Sequence, residues 1–428
     1  MPGAERLHLT PDTALDLAAA IADRLRRDAL HDGSECTWLG HHSVADAASS
    51  TRGTGSVRSL LGDVYGGTAG VALFLLELHH LRPEPWLPDL IRAALAHATR
   101  TIADAPKNEA GGFLTGVAGL GYVNLRAAEI LADPAAARAG LAQLSVAAVD
   151  ACVAEGAVDL VSGVAGVVVA AAAASRRTPA LRDVVAAGQN ALLAAATREG
   201  GAWSWNMTAG QAEAKSEART GLSHGFSGVA AALFAAHALT GDPTARDAAV
   251  GALVTEDRWY VPEQANWIDL RHAADATPPA TPESRRAAPC ADVWCHGAPG
   301  IAIVRRIARD VLGGDAPVAA SLAPAVRITR RALRQWREGA DTSLCHGLFG
   351  HAECLMLAAP GAYLPTIDGA LARAARSHAE DASWPSGVVS RGANPSLLLG
   401  SAGIGHQLLR WAKGNAVPPV LLPSAVAL

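Results

Sequence analysis

The 428-residue sequence has no excess of positive charge: 36 Lys and Arg stand against 40 Asp and Glu, for a net charge of −4. A phosphate backbone needs a basic footprint, so nucleic acid is set aside as a partner. The opening residues, MPGAERLHLTPDTALDL, lack the basic-then-apolar order of a secretory signal, which leads to the expectation of a cytoplasmic protein. No apolar run reaches the roughly 20 residues of a membrane span, and the most apolar, LVSGVAGVVVAAAAAS from Leu160, is interrupted by glycine. It is expected to form a buried helix. Six cysteines (Cys36, Cys152, Cys290, Cys295, Cys345 and Cys354) without an export signal do not make a disulfide framework. Metal binding or a reactive thiol is the reading for those that cluster.

Alternating strand patterns of useful length are absent too. In their place the sequence repeats a G-x-x-G unit followed by an apolar helical pattern, seven times. The glycine pairs are Gly67/Gly70, Gly116/Gly119, Gly163/Gly166, Gly225/Gly228, Gly297/Gly300, Gly347/Gly350 and Gly400/Gly403. Successive first glycines lie 49, 47, 62, 72, 50 and 53 residues apart. About fifty residues is room for two helices and their turns. The terminal units are as apolar as the central ones, whereas an open solenoid needs polar caps. The expectation is therefore an all-α fold: an α/α toroid of seven helical hairpins, with the glycine loops around one mouth. Residues 1–57 are read as an N-terminal helix (Thr13 to Leu30) and lead-in loop, and 58–428 as the toroid, the whole forming one domain. Two longer spacings, before the fourth and fifth units, are read as long surface loops; the second carries Trp259, Tyr260 and Trp267.

Alignment on the first glycine exposes the chemistry. The residue before it is Gly66, Thr115, Ser162, His224, His296, His346 and Leu399, and the one before that is cysteine only in units five and six, Cys295 and Cys345. If equivalent loops converge on one mouth, two thiols and up to three imidazoles meet there. Cys and His are preferred zinc ligands, and three protein ligands with one open position mark a catalytic site. Cys295, Cys345 and one histidine meet that description, and the sequence leaves open which. Cys36, Cys152 and Cys354 are expected to be buried packing residues, and Cys290 a surface thiol. Asp159 leads into the most apolar unit, where an ion needs a partner. Asp63 holds the same register position in unit one, so a structural role for this aspartate stands beside a catalytic one.

The segments DLVSGVAG, GLSHGFSG, WCHGAPGI, LCHG and PSLLLGSAGIG together resemble the lanthionine synthetase C-like cyclases, with WCHGAPG nearest the cyclase domain of bifunctional class II lanthipeptide synthetases. The resemblance covers nearly the whole chain. It implies an α/α toroid and one zinc ion per chain on Cys295, Cys345 and His346, with His224 and Asp159 as the active-site histidine and aspartate and Trp294 as an aromatic at the substrate. The implied reaction is addition of a peptide thiol to dehydroalanine or dehydrobutyrine, closing a thioether ring. The implied partner is a dehydrated precursor peptide, core plus leader. Some relatives carry Arg four positions before the first zinc cysteine; Ala291 stands here, which turns attention to His296 for the oxyanion. The large dehydratase domain of the bifunctional enzymes is absent from the sequence, so the chain is expected either to work alone or to depend on a separate dehydratase acting in trans. The alternatives are a non-catalytic, zinc-containing peptide-binding or scaffold protein, and another zinc-thiolate alkylating enzyme such as a prenyltransferase. The latter is poorly served by 4% aromatic residues.

Overall fold

The structure is a computed structural model and describes residues 8–43, 55–104, 106–209, 217–271, 278–314, 316–378, 383–388 and 392–426. Its helices in chain order are α1 (Pro11–Asp28), α2 (Thr68–Leu81), α3 (Leu87–Thr101), α4 (Val117–Leu131), α5 (Pro134–Gln143), α6 (Val146–Ala154), α7 (Val164–Ala174) and α8 (Leu181–Ala194). Then follow α9 (Phe226–Thr240), α10 (Pro243–Glu256), α11 (Pro282–Ala287), α12 (Ala298–Leu312), α13 (Leu322–Gln335), α14 (Leu348–Ala358), α15 (Leu364–His378) and α16 (Ser401–Lys413). The seven helices that begin after a first glycine form the inner layer. Most of them are apolar nearly all round, as α7 shows, where every residue from Val164 to Ala172 is buried; α12, with Arg305, Arg306, Arg309 and Asp310, is an amphipathic exception. Outer helices are amphipathic instead. In α13, Ala325, Val326, Ile328, Thr329 and Leu333 face inward while Arg327, Arg331 and Arg334 face out.

The inner helices touch in the order α2, α4, α7, α9, α12, α14, α16 and back to α2, so the ring is closed. The fold is an α/α toroid. Its closing element comes from the N-terminus: α1, capped by Thr10 with Pro11 in its first turn, packs against α16 as that helix's outer partner. The segment expected as a lead-in therefore belongs to the seventh hairpin. Pro134–Ala154 has the length and apolarity of a membrane span, but Leu144 and Ser145 divide it into α5 and α6, which pack on α4 and on α8 and α7.

Among the described residues, strand structure is limited to four antiparallel two-stranded ribbons, none longer than five residues per strand. One of them pairs Tyr260–Val261 with Asn266–Trp267 and corrects the picture of an exposed loop there. Trp267 is completely buried, with Arg305 over its ring and its Nε1 donating to Asp257. The insertion folds back into the core because its aromatic residues have apolar surface to cover.

The second glycine of each unit now has a physical reason. The second glycine of every unit faces a backbone carbonyl six residues earlier: a Cβ on Gly119 would stand 1.7 Å from Phe113 O, and one on Gly403 1.8 Å from Leu397 O. No other residue fits such an approach. The loops are also joined to one another by a belt of backbone hydrogen bonds two positions before the first glycine. Tyr65 donates to Leu114, Leu114 to Val161, Leu160 to Ser223, Ser223 to Cys295, Cys345 to Leu398, and Leu398 back to Tyr65, at 2.8 to 3.2 Å. One junction lacks such a bond among the described residues, that between Cys295 and Cys345. There His351 of α14 reaches across instead, its Nε2 2.5 Å from Asp292 O.

Candidate active site

The open junction of the belt brings the two cysteines together. The two thiols interact, and this interaction lowers Cys295 to about 7, helped by the nearby charges of His346, Arg271 and His224. Cys345, 3% exposed, is held well up by the same interaction and by burial. One thiol of the pair ionises at the expense of the other. The loop that delivers Cys295 differs from the other six: Gly297 has φ +120°, while the first glycines of the other units lie between −106° and −139°. A Cβ there would fall 1.7 Å from Ala291 O.

His346 follows Cys345, and its Nδ1 is 2.5 Å from Asp341 Oδ2. Burial alone would lower this imidazole, but Asp341 holds it above its ordinary value. The contact leaves Nε2 as the ring atom free to act as a ligand. Asp341 is itself fixed by the amide of Ser343 on its Oδ1. Among the described residues no three His, Cys, Asp or Glu stand in a group able to hold a metal ion as they are placed. The donor types nevertheless fit zinc: two interacting thiols, one of them easily ionised, and an imidazole oriented by a carboxylate.

Across the mouth, Nδ1 of His224 lies 3.1 Å from Oδ2 of Asp159. The two possibilities for Asp159 are both realised, on different atoms. Its Oδ1 accepts the amides of Val161 and Ser162 at 2.7 and 2.8 Å, a loop-building role that Asp63 performs for Gly66 in unit one. Its Oδ2 faces the histidine. Burial works against both ions, yet each charge holds the other: Asp159 is lowered and His224 raised. His224 is 37% exposed while Asp159 is nearly buried, so the imidazole is the partner open to the mouth.

His296 stacks on His224, with centroids 6.0 Å apart and planes 24° apart. Burial and the Arg271 charge push it down to about 3, so it stands neutral. Trp294 does not reach the mouth. It is 1% exposed and holds the register position of Val64, Phe113, Leu160, Leu222, Leu344 and Leu397, all buried packing residues. In this structure Trp294 is packed in the core. Cys36, Cys152 and Cys354 are buried, and Cys290 is half-buried, not a surface thiol, with burial pushing it up to about 12.

Three residues of the site escaped sequence reasoning. Tyr65 donates its hydroxyl to Cys345 Sγ at 3.1 Å; it holds the same register position as the two cysteines, a signal that was there to be used. Asp341 stands six residues before the first glycine of its unit, where unit seven has Asn394, and both accept the amide two residues on. Arg271 lies in the fourth-to-fifth insertion, outside any register. It is held by Asp269 through contacts of 3.0 and 2.7 Å, and its charge is felt at Cys295, His224 and His296.

The sequence matches the model of a family described as "Lanthionine synthetase C-like protein" over residues 59–422. No curated protein matches it significantly. Among solved structures it is similar to nisin cyclase, with a TM-score of 0.64 and 15% identity, covering 97% of this chain and 98% of that one. An unsaturated glucuronyl hydrolase from Bacillus sp. GL1 shares a TM-score of 0.46 and 13% identity over 95% of this chain and 98% of that one, too distant to carry an argument.

Proposed function

The chain belongs to the lanthionine synthetase C-like family, and from that premise we propose that it is a lanthipeptide cyclase. It adds a cysteine thiol of a dehydrated peptide to a dehydroalanine or dehydrobutyrine of the same peptide. A C–S bond forms at the β carbon, the π pair moves to the α carbon and its carbonyl, and a proton is delivered to the α carbon. The observation that carries this reading is the meeting, at one mouth of the toroid, of the Cys295–Cys345 pair with the Asp159–His224 pair.

Cys295, Cys345 and Nε2 of His346 are the residues that would hold one zinc ion, which when bound supplies the positive charge that turns a thiol of pKa about 8.5 into a nucleophile at neutral pH. Asp341 orients His346 for that task, and Tyr65 holds Cys345. Asp159 fixes Nδ1 of His224 and leaves Nε2 as the atom that exchanges a proton, within the pH range where an imidazole works in both directions. His296 is neutral and packs against His224, steadying its ring. Arg271 places a positive charge near the reacting region, where an enolate oxygen gains from it.

The substrate is read as a dehydrated precursor peptide, core plus leader, delivered by a separate dehydratase acting in trans. The test is thiol counting on such a peptide, because cyclisation leaves the mass unchanged and removes a free thiol. Loss of thiols with wild type but not with His224→Ala supports the assignment. Unchanged thiol number with wild type overturns it in favour of a peptide-binding role.

A further inference from the structure

We propose that the outer face of α13 is a docking surface for an acidic segment of the peptide substrate; the proposal rests on the peptide-modifying reading above. Helix α13 contains Arg327, Arg330, Arg331 and Arg334 and no Asp or Glu. Their spacing puts them on one face of the helix, where they and Gln335 line a shallow cleft of about 490 Å³. Like charges at these spacings repel, so folding stability gives no reason for the arrangement. Only Arg331 is in an ion pair among the described residues, with Asp292 at 3.3 Å; Arg330 lies over the Tyr363 ring. The whole chain is net negative, which makes a concentrated positive face on one helix a local feature with a local purpose.

Its place in the fold connects it to the site. Helix α13 packs on α12 and α14, the two inner helices that follow Cys295 and Cys345, so the arginines lie on the outer wall behind the open junction of the belt. Asp292, the partner of Arg331, pairs through its backbone with Gly297. From Arg327 to Arg334 the stripe runs roughly 10 Å, the span of about three residues of extended peptide at ~3.3 Å each. Guanidinium forks match carboxylates in a bidentate manner, and an extended peptide with acidic side chains on one side satisfies the stripe. The cleft has no apolar side chain to enter a lipid surface, and a stripe this short spans only a few phosphates of a nucleic acid.

The test is fluorescence anisotropy with a fluorescein-labelled polyglutamate peptide on the full chain and on R327Q/R331Q/R334Q. Arg330 is kept because it covers Tyr363. The expected result is saturable binding that weakens as salt is raised, falls at least about tenfold in the triple variant, and falls by less in R327K/R331K/R334K, which keeps the charge but loses the fork. Equal binding to the triple variant, or equal binding of polylysine, overturns the proposal. Tighter binding of phosphatidylglycerol vesicles or of single-stranded RNA than of polyglutamate also overturns it and reassigns the surface. Thiol counting on a dehydrated peptide is read separately, so failure of the cyclase reading and failure of the docking surface are different outcomes.

Discussion

Cys295 and Cys345 occupy the same position in neighbouring hairpins, and their thiols interact across the one junction that the backbone belt leaves open among the described residues. At the other junctions a backbone amide of one loop donates to the carbonyl at this position in the next. Here no such bond forms among the described residues, so this junction is where the proposed zinc ion would contribute both chemistry and closure.

The closure has a thermal signature. An ion bound only by the folded chain adds about 2.7 kcal/mol at a hundredfold excess over its Kd. Wild-type protein loaded with zinc is predicted to melt at lower temperature after chelation, while Cys345→Ala is indifferent to chelator. Paired thermal melts check this; a wild-type melt that chelation leaves in place contradicts it.

For His224 and Asp159 the sign of the pH dependence follows from opposite shifts. His224 is raised, so its contribution is full below the ordinary imidazole value near ~6.5 and is lost as pH rises through its folded value. Asp159 is lowered, so its contribution is full above ~3.9 and is lost as pH falls through its own folded value. The pair is strongest between those limits. Asp159→Asn keeps the oxygen that accepts the loop amides and removes the charge. It is predicted to drop the His224 pKa below ~6.5, since burial, the largest influence on it, is then joined by the Arg271 charge and opposed only by the Cys295 charge, and to slow cyclisation by roughly 10²-fold. Proton NMR of the imidazole against pH reads the first effect, and an unshifted titration argues against the pairing.

Gly297 and Gly313 stand before and after α12 and offer a controlled comparison. Both have positive φ, +120° and +95°, but a Cβ on Gly313 meets nothing within 4 Å whereas one on Gly297 meets Ala291 O. Gly313→Ala is predicted to cost about 1–3 kcal/mol of backbone strain. Gly297→Ala is predicted to cost more and to release the metal, because the loop cannot present Cys295 without it. Urea unfolding and metal content of the two variants decide.

Much of this was legible in the glycines. The carbonyl that each second glycine faces lies six residues upstream in the same unit, so the constraint is local and writes itself into a fixed spacing. The same register brought Cys295, Cys345, His224, His296, His346 and Asp159 forward as candidates, because their positions in the loops are set by that local backbone, and left open which imidazole serves the thiols. It failed where contacts are long-range. Trp294 could not be told from a mouth-lining aromatic until its packing was seen, and Arg271 is placed by an irregular insertion with no repeat to align. The role of α1 as the outer partner of α16 joins the two ends of the chain, a pairing no local pattern encodes.

Stability of the ring also rests on buried ion pairs between helices, such as Arg410 Nε with Glu353 at 2.7 Å, both almost fully buried. Arg410→Leu leaves the carboxylate alone in the core and is predicted to cost about 3–5 kcal/mol. Adding Glu353→Leu to it is predicted to recover most of that loss, because the cost comes from the stranded charge. Denaturant unfolding of the single and double variants measures both numbers.

The most direct test of the account is zinc content per chain by elemental mass spectrometry, on wild type and on Cys295→Ala and Cys345→Ala. One equivalent in wild type, lost in each variant while helical content is kept, is the predicted result: two stretches of sequence fifty residues apart serve one metal. Full zinc in either variant, or none in well-folded wild type never exposed to chelator, contradicts it.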